Sequence, residues 1–267
     1  MNTIHNSVGG DYAYLRGGAA FSSAVVALPG FEIVRVRFAR WLPLADGFDA
    51  IAAHLRQAKR PLTALCAAEL RSPRPLSLDG FGDFNRSYLD VLREWGLLAN
   101  ETGTVPVARC NVCPSHDAPS VPSFHAFSYT VPVGAVHSGS LTTSGHASDA
   151  PAPRSFVLSG FADWPEGAAF PEGIIAHGDT SAHGLERKFA FVLDGVEHKT
   201  AELGVRMDSI TGVQIYTVHD FGPLVGSLFA TRGLTRIGLE WQVSRPPIDG
   251  LELEIDVRSV RRELVID

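Results

Sequence analysis

Near the middle of this 267-residue chain, residues 134–153 read GAVHSGSLTTSGHASDAPAP. The run is small, polar and closed by prolines. It keeps neither a two-residue nor a 3.6-residue apolar period, so it predicts a linker rather than an element. It parts the chain into flanks of similar length, 1–133 and 154–267, each long enough to enclose a core. With 45% apolar and 19% charged residues, the composition supplies two such cores and does not read as disordered.

The flanks also share an order of elements, which points to duplication followed by wide divergence. In the first, Ser23–Leu28 and Phe31–Phe38 read as strands around a Pro29-Gly30 turn. Phe48, Ile51, Ala52 and Leu55 fall at helical spacing, and Leu62–Leu70 reads as a buried strand. Phe81, Phe84, Tyr88, Leu92 and Trp95 mark one face of a second helix, with Gly96 as its stop. Val105–Val112 and Phe124–Val131 complete a β-β-α-β-α-β-β unit. In the second, Ser155–Gly160 is a strand and Asp179 caps a helix bearing Leu185, Phe189, Val192 and Val196. Ser209–Val218 is a strand, Phe221, Leu224, Val225 and Leu228 a helix face, and Leu234–Val243 another strand. Leu251–Val257 alternates strictly, with Glu252, Glu254 and Asp256 opposite the apolar set. The expectation is an α+β chain: two tandem domains, each an α/β sandwich with helices on one face of its sheet.

Several classes of partner are disfavoured. The net charge is −6 and no basic block is present, so nucleic acid and membrane surfaces are not expected as partners. No stretch approaches the roughly 18 apolar residues of a membrane helix, and the first residues lack a signal-peptide pattern. Three cysteines are too few for a disulfide framework. A cytoplasmic location is expected.

Four stretches then carry a resemblance. Phe156-Val-Leu-Ser-Gly160, Arg236-Ile-Gly-Leu-Glu240, Leu251-Glu-Leu-Glu254-Ile and Phe81-Gly-Asp-Phe-Asn85-Arg-Ser-Tyr88 resemble landmarks of the RidA/YjgF family of enamine/imine deaminases, whose members are single domains of this element order. The resemblance implies that Arg236 holds a substrate carboxylate through its planar fork. It implies that Glu254 guides the attacking water, that Gly160 lets backbone approach the ligand, and that Asn85 adds a neutral partner. It also implies a chorismate-mutase-like fold and a homo-oligomer, a trimer of tandem chains, with pockets between units. The first flank departs from the pattern: its matching strand begins Val105-Pro106, Arg109 lies four residues on, and His125 stands where Glu254 would be. Val225 replaces the asparagine in the second flank. Neither flank holds the whole set, so a composite site between the domains is expected, with Arg109 and His125 as further candidate substrate-binding residues.

Cys110, Cys113 and His116 offer zinc-like spacing, but residues three apart on a strand face opposite ways and no second Cys-x-x-Cys pair exists. His177, Asp179 and His183 fit the polar entry to a helix better than a metal site. Neither a Gly-x-Ser-x-Gly elbow nor a phosphate-binding glycine loop occurs. No metal and no cofactor are expected. The leading expectation is cofactor-free hydrolytic deamination of a small carboxylate-bearing enamine or imine, 2-aminoacrylate- or aminomuconate-like. A chorismatase-like enzyme and a non-catalytic metabolite-binding protein are the alternatives.

Overall fold

A computed structural model of the chain describes residues 3–98, 104–134 and 154–267. All of the expected linker except Gly134 lies outside the described residues. The chain opens with two short strands that its pattern did not suggest, β1 (Ile4–Asn6) and β2 (Tyr12–Leu15). The expected order then follows: β3 (Ala24–Ala27), β4 (Phe31–Pro43), α1 (Leu44–Gln57), β5 (Leu65–Arg71), α2 (Leu78–Glu94), β6 (Ala108–Pro114) and β7 (Ser123–Pro132). After the linker come β8 (Phe156–Ala162), α3 (Ala182–Glu202) and β9 (Gly212–Tyr216). The chain finishes with β10 (Glu240–Gln242), β11 (Ser244–Arg245), β12 (Glu254–Ser259) and β13 (Arg262–Ile266).

Local chemistry accounts for the helix ends. The Ser77 hydroxyl accepts from the Gly80 N–H at 3.1 Å and starts α2. Gly96, at φ 73°, stops it by donating its N–H to the Arg93 carbonyl at 3.0 Å. Helix α3 is capped by Ser181, whose hydroxyl accepts from the Gly184 N–H at 3.2 Å. The expected cap, Asp179, instead accepts from the Ser181 N–H at 2.9 Å and braces the turn before the helix.

Two sheets result. One runs β1-β2-β3-β8-β12-β9-β10 and the other β11-β6-β5-β7-β4-β13. Neither is built from one flank alone, which corrects the picture of a separate sheet per flank. β3 pairs antiparallel with β8, Ala24 opposite Leu158 and Val26 opposite Phe156. In return β13 lies parallel to β4, from Arg262 opposite Val34 to Ile266 opposite Phe38. Each exchange covers a row of backbone donors and acceptors that would otherwise be an open edge. The limits 1–133 and 154–267 thus divide the sequence, while the hydrogen bonds cross them.

The sheets pack face to face with helices outside. Phe48, Ile51 and Leu55 of α1 and Tyr88 and Leu92 of α2 cover one sheet. Phe189, Val192 and Val196 of α3 cover the other, against Phe156, Ile255 and Val257. Between the sheets, Tyr12, Tyr14, Val25 and Ala27 meet Ile33, Cys66, Ala67 and Ala108. The mixed α+β architecture is therefore layered helix–sheet–sheet–helix.

Two expected elements of the second flank are replaced. The helix expected around Phe221–Leu228 is a 3₁₀ turn, Gly222–Leu224, running into a π turn, Val225–Ala230; Pro223 sits in the first of these. The strand expected over Leu234–Val243 begins as a 3₁₀ turn, Leu234–Ile237. Gly233 and Gly238, at φ 71° and 83°, bracket that turn in left-handed conformations that an extended strand does not contain.

The return from β8 is pinned by a fully buried ion pair. Lys188 Nζ donates to Asp163 Oδ2 at 2.7 Å and to the Ile175 carbonyl at 2.7 Å. Lys188→Met would leave a buried carboxylate without its cation. It is expected to lower unfolding stability by about 3–5 kcal/mol in urea denaturation; an unchanged midpoint would show that the pair is dispensable.

Candidate active site

Strand β12 is buried on both faces. Leu253, Ile255 and Val257 join the core beneath α3, while Glu254, Asp256 and Arg258 point between the sheets. Charge enclosed there must be paired or neutralised. Most of it is paired. Arg35 grips Glu69 through Nε and Nη2 at 2.5 and 2.7 Å and reaches Glu263 at 3.1 Å. Burial alone would raise the Glu69 carboxyl, but Arg35 holds it well below the usual range. Arg258 donates to Glu263 at 2.6 Å and to Gln214 at 2.9 Å, and the Tyr216 hydroxyl donates to Asp256 at 2.8 Å.

Arg109 of β6 is different. It is 4% exposed, and both Nη atoms are buried without a hydrogen-bond partner. Its guanidinium carbon lies 5.0 Å from the ring centre of Tyr88, 5.1 Å from Phe21, 5.4 Å from Phe81 and 5.7 Å from Phe84. Cation–π attraction of about 0.5–2 kcal/mol compensates part of the lost hydration. It leaves the N–H donors unsatisfied, and such donors are rare in native interiors and call for a partner such as a ligand or water. Two further polar atoms nearby on α2, the Tyr88 hydroxyl and Asn85 Oδ1, are also buried without partners. Burial pushes the Tyr88 phenol up to about 12, so it stays a neutral donor.

Glu254 is the acid of the same region. Burial first, then the Asp256 charge, pushes its carboxyl up to about 8, against the pull of the Cys110 thiol and of Arg109. At neutral pH it therefore carries its proton. The Cys110 thiol is itself raised far above its ordinary value by burial, so it is a hydrogen-bond donor and not a nucleophile. Gly160 makes room for the acid: a Cβ there would lie 1.8 Å from Glu254 Oε1. The glycine expected to admit a ligand thus admits the acid. Backbone joins the two strands, since the Arg109 N–H donates to Ser159 Oγ at 2.9 Å, one residue before Gly160. Phe81 lies beside Arg109 on one side and packs on the Ile174, Ile248 and Leu251 cluster on the other, a cluster against which Ala162, the strand partner of Glu254, also packs.

The first flank thus supplies Arg109 and Asn85 and the second Glu254 and Gly160; Arg109 lies on the α2 side of β6 and Glu254 on the side of Cys110, within electrostatic reach of each other. Arg236 is not among them. It is exposed on the 3₁₀ turn, where its guanidinium donates to the carbonyls of Asp208 and Ile210. The two left-handed glycines that break the expected strand also turn Arg236 outward. His125 stands elsewhere on β7, its Nδ1 accepting from Trp41 Nε1 at 3.2 Å. Burial and the Arg71 charge push it down to about 3, so it is neutral. Sequence reasoning named Tyr88 only as a helix-face and landmark residue and Cys110 only for its zinc-like spacing, and it missed Phe21. The polar residues Arg109 and Asn111 inside the largely apolar run Val105–Val112 were the available signal. Cys110 and Cys113 are both buried on β6, and among the described residues no group of three or more His, Cys, Asp or Glu side chains is arranged to hold a metal. Among the same residues no helix is long and apolar enough to cross a membrane.

The sequence model of the family described as 2-aminomuconate deaminase CnbZ matches residues 4–264. A 2-amino-5-chloromuconate deaminase of Comamonas testosteroni is 44% identical over 258 residues, 96% of each chain. Among solved structures, a chorismatase aligns over 93% of this chain and 81% of its own, at TM-score 0.48 and 14% identity. A YjgF/YER057c/UK114-family protein from Mycobacterium tuberculosis aligns over 40% of this chain and 79% of its own, at TM-score 0.28 and 15% identity. Neither structural likeness bears on the chemistry.

Two measurements probe the acid. Because Glu254 holds its proton up to about 8 when folded and loses it near its ordinary value when unfolded, the folded state binds the extra proton between these limits. Stability therefore falls as pH rises through that window. Glu254→Gln, which has no proton to lose, should gain on the parent steadily from about pH 5 to about pH 8 in urea denaturation; a constant difference would mean an ionised Glu254. Gly160→Ala should cost about 1–3 kcal/mol by crowding the same carboxyl, and a neutral effect would place Glu254 elsewhere.

Proposed function

The chain belongs to the 2-aminomuconate deaminase family, and from that premise we propose that it hydrolyses a 2-aminomuconate-like enamine to the 2-oxo acid with release of ammonia. It is a deaminase, which sets aside the expectation of a non-catalytic binding protein. The observation that carries the reading is the buried, unpartnered guanidinium of Arg109 within electrostatic reach of a protonated Glu254.

The reaction follows from that pair. Arg109 takes the carboxylate beside the amino-bearing carbon, and the Tyr88 hydroxyl has a free donor for the same group. Glu254 gives its proton to the enamine carbon chain, leaving an iminium at the amino-bearing carbon. The new carboxylate then takes a proton from water as the oxygen adds to that carbon. Returning the proton to nitrogen expels ammonia, and as the carbonyl forms the hydroxyl proton passes back to Glu254, which restores the acid. One water is consumed, and no other group needs to change oxidation state. Holding a reactive electrophile in place and moving protons are sufficient work for the site in this reading. The catalytic carboxylate role stays with Glu254, and the carboxylate-binding role expected of Arg236 passes to Arg109. In this reading the RidA-like tandem ancestry accounts for the division of the two groups between flanks, and the expected trimer concerns assembly rather than completion of the pair.

Ammonia release from 2-aminomuconate, with 2-aminoacrylate and chorismate as comparison substrates, tests the proposal. Glu254→Gln is expected to lower kcat by about 10²–10⁴-fold. Arg109→Lys should raise KM by about tenfold or more, because an ammonium cannot replace the fork. In the parent, kcat/KM should fall as pH rises through about 8, as the acid loses its proton. Full activity in Glu254→Gln, or pyruvate release from chorismate instead of deamination, would overturn it.

A further inference from the structure

Strand β6 presents Ala108, Cys110 and Val112 to the interior between the sheets, where Cys110 and Val112 pack on Tyr216. Alternation places the residues between them, Arg109 and Asn111, on the opposite face, towards α2. Asn111 is 3% exposed. Its Oδ1 accepts from the Ser72 hydroxyl at 2.9 Å, and Ser72 is itself held by its N–H donating to the Val112 carbonyl at 2.9 Å. The brace occupies the oxygen and leaves Nδ2 buried without a partner. An amide N–H₂ in such a place is the same kind of unfilled donor as the Nη atoms of Arg109. The other cation near this end of the strands, Arg71, is already engaged with the Leu70 carbonyl and Gln242.

We infer that Asn111 is a specificity-determining residue of this site: its Nδ2 binds the far carboxylate of a conjugated diacid whose near carboxylate rests on Arg109. The inference rests on the deaminase reading and adds to it the means by which a diacid is told from a monoacid. Two residues along a strand span about 6.7 Å, which is of the order of the separation between the carboxyl groups of a muconate. Phe81 and Phe84, stacked at 6.3 Å beside Arg109, offer flat apolar surface to a planar carbon chain between the two anchors. A short enamine acid held by Arg109 would leave Nδ2 unsatisfied. A site built to hydrogen-bond one group discriminates strongly against an analogue that lacks it.

The test measures binding of unreactive probes by calorimetry: muconate, and sorbate, which has the same carbon chain with one carboxylate replaced by a methyl group. The parent should bind muconate about tenfold or more tightly than sorbate. Asn111→Ala and the bulkier Asn111→Leu should bring the two affinities to within about threefold, with sorbate affinity unchanged as the sign of an intact fold. A muconate preference that survives in a variant whose sorbate affinity is intact would overturn the inference, as would a parent that binds both probes equally. Ammonia release by the parent is read separately: its absence beside a muconate preference that depends on Asn111 would remove the reaction and leave the diacid anchor standing.

Discussion

Charge shut inside the layers of a fold needs a partner, a proton or a ligand, and this molecule uses each in a different place. Arg35 with Glu69 and Arg258 with Glu263 take the first course. Glu254 takes the second, because burial and the nearby Asp256 make its ionised form costly. Arg109 takes neither, since its nearest neighbours are aromatic rings that attract the cation without accepting its N–H groups.

The exchange of edge strands is what brings the remaining groups together. With β3 against β8, the strand carrying Ser159 and Gly160 lies beside β6, and the Arg109 N–H bonds directly to Ser159. Gly160 then gives the Glu254 carboxyl its space. A chain whose flanks folded independently would have an arginine on one body and an acid on another. Here each sheet is incomplete without strands from the other flank, so the stability of the layers and the spacing of the two groups rest on the same hydrogen bonds.

Much of the architecture was legible locally. Elements appear where each has its own signal: Phe48, Ile51 and Leu55 at helical spacing and Gly96 at the end of α2 in the first flank, and alternation through β12 in the second. Failures occurred where local pattern and backbone freedom disagree. Leu234–Val243 alternates like a strand, but Gly233 and Gly238 turn it into a 3₁₀ segment and carry Arg236 to the surface. For the candidate site, Glu254, Asn85 and Gly160 were named with Arg109 beside them, while Arg236, the arginine preferred from the motif, is exposed and donates to the Asp208 and Ile210 carbonyls. Motif spacing along a strand does not report which side of the molecule that strand faces.

From the residues alone one could read the class of elements, the two buried cores and the lack of a basic block. These follow from periodicity and composition, which are properties of neighbours along the chain. The interleaving of the sheets, the burial of Arg109 and exposure of Arg236, the proton on Glu254 and the unfilled Nδ2 of Asn111 were not readable there. Each depends on what lies within a few ångströms after folding. Desolvation and hydrogen-bond satisfaction act through space, between residues that the chain keeps far apart.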